Sequence, residues 1–136
     1  MIYAVIDTNV LVSALISKNQ QSATAQVLAH MLGKDITPLY DDDIMTEYSD
    51  VLRRKKFNLD EDRVNFLLGF ITKHGEHSSR TTYPQDMPDE DDRVFYEVSL
   101  SRDDSFLVTG NLKHFPRTPK VVTPAEMLDI LRDEAK

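Results

Sequence analysis

Cysteine is absent from this chain of 136 residues. Its absence excludes disulfides, thiolate metal sites and cysteine nucleophiles, so any metal must be bound by oxygen or by histidine. Long apolar runs are also absent, since none approaches the roughly 18 residues that a membrane-spanning helix needs. Met1 leads directly into a predicted strand with no basic segment before it. We therefore expect a soluble, cytoplasmic protein with no membrane partner.

Positive charge is scarce, because 16 lysines and arginines stand against 23 aspartates and glutamates, a net charge of −7 at pH 7. Lysine and arginine make phosphate contacts, so this balance argues at first against a nucleic-acid partner. A metal-dependent nuclease needs patches of both signs, although each patch taken singly is typical of a solvated surface. The charges do form such patches, acidic at residues 41–43 and 86–92, and basic at 53–56 and at Lys113, His114, Arg117 and Lys120.

The length of the chain suits one compact domain over residues 1–136, and no internal repeat or linker is visible. Such a domain buries roughly two-thirds of its unfolded surface. The four histidines show no zinc-ligand spacing. Two of them, His74 and His77, are interpreted as loop or surface residues.

Residues 1–17, MIYAVIDTNVLVSALIS, predict a buried strand that stops at an aspartate and turns into a helix. Residues 2–6 are apolar and mostly β-branched, which is typical of a strand covered on both faces in a parallel sheet. Apolar residues from Val10 onward follow helical spacing, with Asp7 or Thr8 as the N-cap. Ligands of open α/β sheets bind at the carboxyl ends of strands. Asp7 is therefore a candidate site residue, with a purely structural N-cap as the alternative.

Strands and helices alternate along the rest of the chain, which predicts an α/β domain with a mainly parallel sheet. Strands are predicted at residues 36–40, where Pro38 indicates an edge or irregular strand, at 105–109, at 121–122 and, more weakly, at 76–83. Helices are predicted at 22–32 with Gly33 at C′, at 44–54 with Asp43 as N-cap, at 60–73, from 89–92 onward, and after Thr123 with a capping box.

Other oxygen-bearing side chains occupy positions from which they can face a cleft. Glu47 lies inside the apolar stripe of its helix, where a snorkelling side chain or a capping-box glutamate is the structural alternative. Asp91 and Asp92 precede Phe95 by four and three residues, so helical spacing does not choose between them. Acids that stabilise a helix N-terminus are the alternative there. Asn111 follows a predicted strand, as Asp7 does.

Asp7, Glu47, Asp91 or Asp92, and Asn111 thus belong to separate strand ends and helix starts, which a parallel sheet brings to one edge. Around them the chain resembles the PIN-domain family, in particular the toxin components of bacterial toxin–antitoxin pairs. Four motifs in the family's order carry the resemblance: VIDTNVLVSAL at 5–15, EYSDVL at 47–52, PDEDDRVFYEVSL at 88–100 and FLVTGNLKHF at 106–115.

The resemblance implies a three-layer α/β/α sandwich with about five mainly parallel strands, and hydrolysis of RNA with Mg²⁺ or Mn²⁺. It also implies an antitoxin protein as a partner, and a homodimer. The fourth acidic position of the family, after the threonine-glycine pair, holds Asn111 here, which leaves three anionic ligands. By position, the catalytic and metal-binding acids are Asp7, Glu47 and Asp92 or its neighbour Asp91, with Asn111 as a further metal ligand and Thr8, Asn9 and Thr109 in support.

Two other function classes compete with a metal-dependent endoribonuclease. A PIN-like module weakened in catalysis by Asn111 would bind RNA or a protein partner without turnover. A phosphotransfer domain of the receiver or haloacid-phosphatase kind also places aspartates at strand ends. The phosphatases, however, expect a second aspartate two residues after the first, where this chain has Asn9. We therefore favour the nuclease.

Overall fold

Five parallel strands form the centre of the molecule in the computed structural model, which describes residues 2–135. The strands are β1 (Ile2–Ile6), β2 (Ile36–Tyr40), β3 (Glu76–His77), β4 (Ser105–Val108) and β5 (Val121–Val122). Their order across the sheet is β3-β2-β1-β4-β5, and every pairing is parallel, which confirms the predicted sheet.

Six α-helices in the described chain pack around this sheet, and they fall into two groups. The second helix contacts the first and the last, the third contacts the fourth and the fifth, and contacts between the first and the third join the two groups. With the sheet, these helices form a three-layer PIN-like sandwich, as predicted. Within residues 2–135, no helix combines the length and the apolar character that crossing a membrane requires. The helices are α1 (Thr8–Ile16), α2 (Ala23–Leu32), α3 (Asp42–Leu52), α4 (Glu61–His74), α5 (Arg93–Ser99) and α6 (Pro124–Glu134).

The first strand lies at the middle of the sheet because its side chains are apolar on both faces, as a doubly covered parallel strand requires. Ala4 and Val5 are completely buried. At the carboxyl end of the strand, Ile6 pairs with Val108 of β4. The pairing extends one residue further, because the backbone N–H of Asp7 donates to the carbonyl of Val108 at 2.9 Å. The end of β4 therefore holds the backbone of Asp7 in place.

The start of α3 differs from the prediction, because Asp41 and not Asp43 is the N-cap. The Asp41 carboxylate accepts a hydrogen bond of 2.8 Å from the backbone N–H of Ile44, and the helix begins at Asp42. Asp41 directly follows β2 and is buried, whereas Asp43 is exposed. Glu47 is consequently the sixth residue of the helix, which excludes the capping-box role at the third.

Two other local predictions were wrong. The helix α2 ends at Leu32, the predicted last residue, but Gly33 is its C-cap, with φ −81°, and the left-handed residue that follows is Lys34, with φ 70°. The weak strand at 76–83 is limited to Glu76–His77. The strand β2, which contains Pro38, is an inner strand of the sheet and not an edge strand. Its outer neighbour β3 pairs only with Leu39 and Tyr40. The missing N–H of Pro38 therefore costs no hydrogen bond on that side.

Candidate functional site

Asp7 lies where β1 ends and α1 begins, and the residue is 4% exposed. Its Oδ2 atom accepts a hydrogen bond of 2.8 Å from Thr109 Oγ1, just beyond β4. Burial raises the pKa of Asp7, because removal from water penalises the carboxylate. The Thr109 hydroxyl and the backbone N–H groups of Asn9 and Thr8 oppose this rise, but neither N–H makes a capping hydrogen bond. Asp7 therefore occupies the N-cap position of α1, but its side chain does not cap the helix.

Glu47 projects from α3 toward the same edge of the sheet. Thr8, at the start of α1, donates a hydrogen bond from its hydroxyl to Glu47 Oε2. The glutamate is half-buried, and burial followed by the negative charges of Asp7 and Asp91 raises its pKa. A snorkelling side chain would extend into water, whereas this carboxylate is bound by a hydroxyl from another helix. Neither structural alternative for Glu47 fits this contact.

A buried glutamate outside the acidic group shapes the loop that leads to it. Glu97 of α5 is 5% exposed and accepts hydrogen bonds from Arg80 Nε at 3.0 Å, from Arg80 Nη2 at 2.7 Å and from the Tyr83 N–H at 2.8 Å. Arg93 donates from Nη1 to the Tyr83 carbonyl at 2.7 Å. These bonds hold the loop against α5, and the loop in turn positions the acidic residues that precede the helix.

These acids form a 3₁₀ turn, Glu90–Asp92, with Asp89 as its N-cap. A 3₁₀ helix has three residues per turn, so Asp89 and Asp92 lie on one face. The Asp92 side chain is 16% exposed. Burial, together with the charges of Asp7, Asp89 and Glu47, raises the pKa of Asp92 to about 6. Asp91 is exposed at the rim, so Asp92 is the acid of this pair that faces Asp7.

Asn111 and His114 form a second 3₁₀ pair at this edge, around the turn Leu112–His114. The Asn111 N–H donates to Thr109 Oγ1 at 3.0 Å, but the side-chain amide of Asn111 lies against His114, with Nδ2 to Nε2 at 2.8 Å. The other ring nitrogen, Nδ1, is 3.1 Å from Asp92 Oδ2. An amide nitrogen only donates, so in this arrangement the ring proton is on Nδ1 and is donated to Asp92. Asn111 is therefore linked to Asp92 by His114, and among the described hydrogen bonds none joins the Asn111 side chain to Asp7.

Among the described residues, the acidic edge of the sheet has no lysine or arginine as a partner. Across residues 2–135, no lysine or arginine forms an ion pair with Asp7, Glu47 or Asp92. In the same span, Asp89, Asp92 and His114 are the three potential metal ligands whose atoms all lie within 4.8 Å of one another. Oxygen-rich groups of this kind suit hard divalent cations, which offset the repulsion between carboxylates. The donor set therefore fits a divalent metal.

A family model of the PIN domain matches residues 3–113. The chain belongs to the PIN-domain family. PIN domains are generally nucleases that use divalent metals, and the match covers all four acidic or amide positions that the family resemblance indicated. Searches of curated proteins and of solved structures gave no significant match.

The sequence did not indicate that two residues of this PIN domain, Asp89 and His114, are potential metal ligands. Asp89 was counted only among the acids of the helix start, and His114 only among the basic residues. The signal was the spacing, because Asp89 and Asp92, like Asn111 and His114, are three residues apart. Side chains three residues apart share a face in a 3₁₀ turn as they do in an α-helix, but the sequence predicted no helical turn at 111–114 and did not indicate that the two turns meet.

Proposed function

We propose that this PIN domain is a divalent-metal-dependent endoribonuclease that hydrolyses RNA with Mg²⁺ or Mn²⁺. The observation that carries the proposal is the convergence of Asp7, Glu47 and Asp92, from three separate elements, on one edge of the sheet, where no lysine or arginine in residues 2–135 forms an ion pair with them. Each of the three has a raised pKa, with burial as its largest cause and charges of neighbouring acids adding to it for Glu47 and Asp92. A protein keeps such an arrangement for a function, since it costs stability without a cation.

The metal would be held by Asp7, Glu47 and Asp92, with Asp91 at the rim. A divalent ion held by these residues would supply activation of a water molecule for attack at phosphorus and compensation of the negative charge on the leaving oxygen. The two threonines, Thr8 and Thr109, hold the Glu47 and Asp7 carboxylates through their hydroxyls. This support fixes the orientation of the acids before the substrate arrives, as tight metal binding requires.

RNA phosphates would bind beside the acidic residues at this edge of the sheet. Asn9 is exposed at the N-terminus of α1, whose first turn contains no acidic residue, so the positive end of the helix dipole favours an anion there. Lys113 is exposed beside His114, and Arg54 lies near enough to lower the pKa of Glu47. We assign these three residues to substrate binding.

We further propose that the protein acts as the toxin of a toxin–antitoxin pair, as a homodimer in one domain of residues 1–136. Its resemblance to such toxins, motif by motif, supports this assignment. A module that binds RNA or a protein without turnover is the competing function, and it is favoured by Asn111 at the fourth acidic position.

The test is cleavage of a fluorescently labelled single-stranded RNA by the purified protein, with Mg²⁺ or Mn²⁺ and with EDTA. We expect cleavage with either metal, none with EDTA, and none from Asp7→Asn. Asp103→Asn, an exposed aspartate before β4 at the opposite sheet edge, should cleave as the wild type does. Cleavage at full rate in EDTA would contradict the proposal, and tight binding of intact RNA by the wild type would favour the non-catalytic module.

A further inference from the structure

We propose that His114 is a ligand of a divalent metal ion, together with Asp89 and Asp92, and that Asn111 orients the imidazole ring. This inference rests on the proposed function, because Asp92 also belongs to the set of residues that would hold the metal of that function. It gives this chain a nitrogen ligand where the family's fourth acid is missing.

The distances from His114 to the two aspartates are close to those between ligands around one ion, and the ligand atoms of all three side chains lie within 4.8 Å of one another. His114 Nδ1 lies 3.1 Å from Asp92 Oδ2 and 3.9 Å from Asp89 Oδ2. An octahedral ion with ligands at about 2.1 Å separates neighbouring ligands by about 3.0 Å and opposite ones by about 4.2 Å. The three atoms thus need little movement to share an ion. The side chains of Asp89 and His114 are 40% and 39% exposed, so the ion can enter from solvent.

Asn111 supplies the outer contact that histidine ligands usually have. Metal-bound histidines almost always hydrogen-bond through the second ring nitrogen, which fixes the tautomer. Here Asn111 is 2.8 Å from His114 Nε2. When the metal binds Nδ1, that nitrogen releases its proton, and Nε2 takes up a proton and donates it to the amide oxygen after the Asn111 amide rotates. The ring stays neutral, and its proton changes nitrogen.

The expected consequence is a preference for Mn²⁺ over Mg²⁺. Both ions prefer oxygen ligands, but Mn²⁺, as a transition-metal ion, also accepts a nitrogen ligand, whereas Mg²⁺ is bound almost entirely through oxygen. Asn111 is neutral, so the site gains affinity from the nitrogen ligand and not from a fourth negative charge. An aspartate at that position would favour Mg²⁺ and Mn²⁺ more equally.

Pulsed electron paramagnetic resonance of the full chain with one equivalent of Mn²⁺ tests the proposal. We expect ¹⁴N modulation from a directly bound nitrogen in the wild type, and its loss in His114→Gln. His30→Gln is the matched control, because His30 Nδ1 lies 2.8 Å from Asp35 Oδ2 in a similar pair at the opposite sheet edge. That variant should retain the modulation. Asn111→Ala should retain it too, with Mn²⁺ affinity lower by about 10-fold.

Either of two results overturns the proposal: a wild type without ¹⁴N modulation, or a His114→Gln variant that retains it. The wild-type spectrum alone decides the first, so the test does not depend on how any variant folds. RNA cleavage is not measured, and the two proposals therefore fail separately. A protein that shows the modulation but cleaves no RNA contradicts the nuclease and leaves the ligand assignment standing.

Discussion

Thr109 Oγ1 donates a hydrogen bond of 2.8 Å to Asp7 Oδ2, across 102 positions of sequence. Both residues lie one position beyond the ends of their strands, β4 and β1, and both are buried. The same Thr109 hydroxyl accepts the Asn111 N–H at 3.0 Å. One side chain thus connects the buried acid to the turn that carries His114.

Thr109→Val should destabilise the protein, because the isosteric change leaves a buried carboxylate oxygen and the Asn111 N–H without their partner. We expect a loss of about 1 to 3 kcal/mol in the free energy of unfolding, measured by urea denaturation. Thr118→Val is the matched control, since Thr118 Oγ1 is buried without a hydrogen-bond partner among the described residues. That variant should be neutral or slightly more stable. Equal losses in both would show that the Thr109 hydroxyl is not needed.

Glu47→Gln should remove RNA cleavage and leave the fold intact. Glutamine keeps an oxygen that accepts the Thr8 hydrogen bond but loses the charge, and we expect cleavage to fall by more than about 100-fold. Stability without metal should be unchanged or higher, because the raised pKa of Glu47 marks its charge as unfavourable there. A loss above about 2 kcal/mol on urea unfolding would make Glu47 a structural residue.

The metal-free protein should lose stability as the pH rises from about 4 to above 6, through the titration of Asp92. Its pKa is raised from 3.8 to about 6 in the folded state, so the folded protein holds the proton more tightly, and this stabilisation disappears as the pH rises through about 6. The pKa values of Asp7 and Glu47 are raised as well, so they act in the same direction.

Urea unfolding in EDTA at several pH values, with Asp92→Asn beside the wild type, measures the contribution of Asp92. The difference in the free energy of unfolding between the two proteins should become smaller toward low pH. With saturating Mn²⁺, the free energy of unfolding of the wild type should instead rise with pH, because metal binding requires deprotonated ligands. Parallel curves for the two proteins in EDTA would refute the raised pKa.

Glu97→Gln should loosen the loop before the acidic turn. The buried carboxylate binds Arg80 twice and the Tyr83 N–H once, and we expect a loss of about 2 kcal/mol, as for hydrogen bonds to charged groups. Limited trypsin digestion should cut faster at Arg80. Arg132→Ala, which breaks only the exposed pair with Asp129, is the control and should change neither measurement. Unchanged protection at Arg80 would show that Glu97 does not hold the loop.

Lys113→Gln should weaken RNA binding without changing Mn²⁺ affinity, if this exposed lysine contacts a phosphate. Fluorescence anisotropy with Asp7→Asn as the background, so that RNA stays intact, gives the affinity at several salt concentrations. The slope of log affinity against log salt should fall by about 0.7, the value for one contact to single-stranded nucleic acid. Lys73→Gln, in the last turn of α4 before the opposite sheet edge, should leave the slope unchanged.

The family, the sheet and the order of the elements were predictable from the sequence, because each rests on local patterns. The apolar run before Asp7 predicts a central parallel strand whether or not its neighbours are known. The capping box of α6 needs only Thr123 and Glu126, and it forms as predicted. These features depend on residues within a few positions of one another, so their spacing carries the information.

The tertiary structure alone decided how the candidate site is assembled. Asp92 faces Asp7 because the turn before α5 is 3₁₀, and the contacts of Glu97 with the preceding loop position that turn. His114 reaches Asp92 because β4 lies beside β1 and delivers the following turn to the same edge. Such contacts join residues far apart in the chain. Their geometry follows from packing and buried hydrogen bonds, which cannot be predicted from the spacing of neighbouring residues.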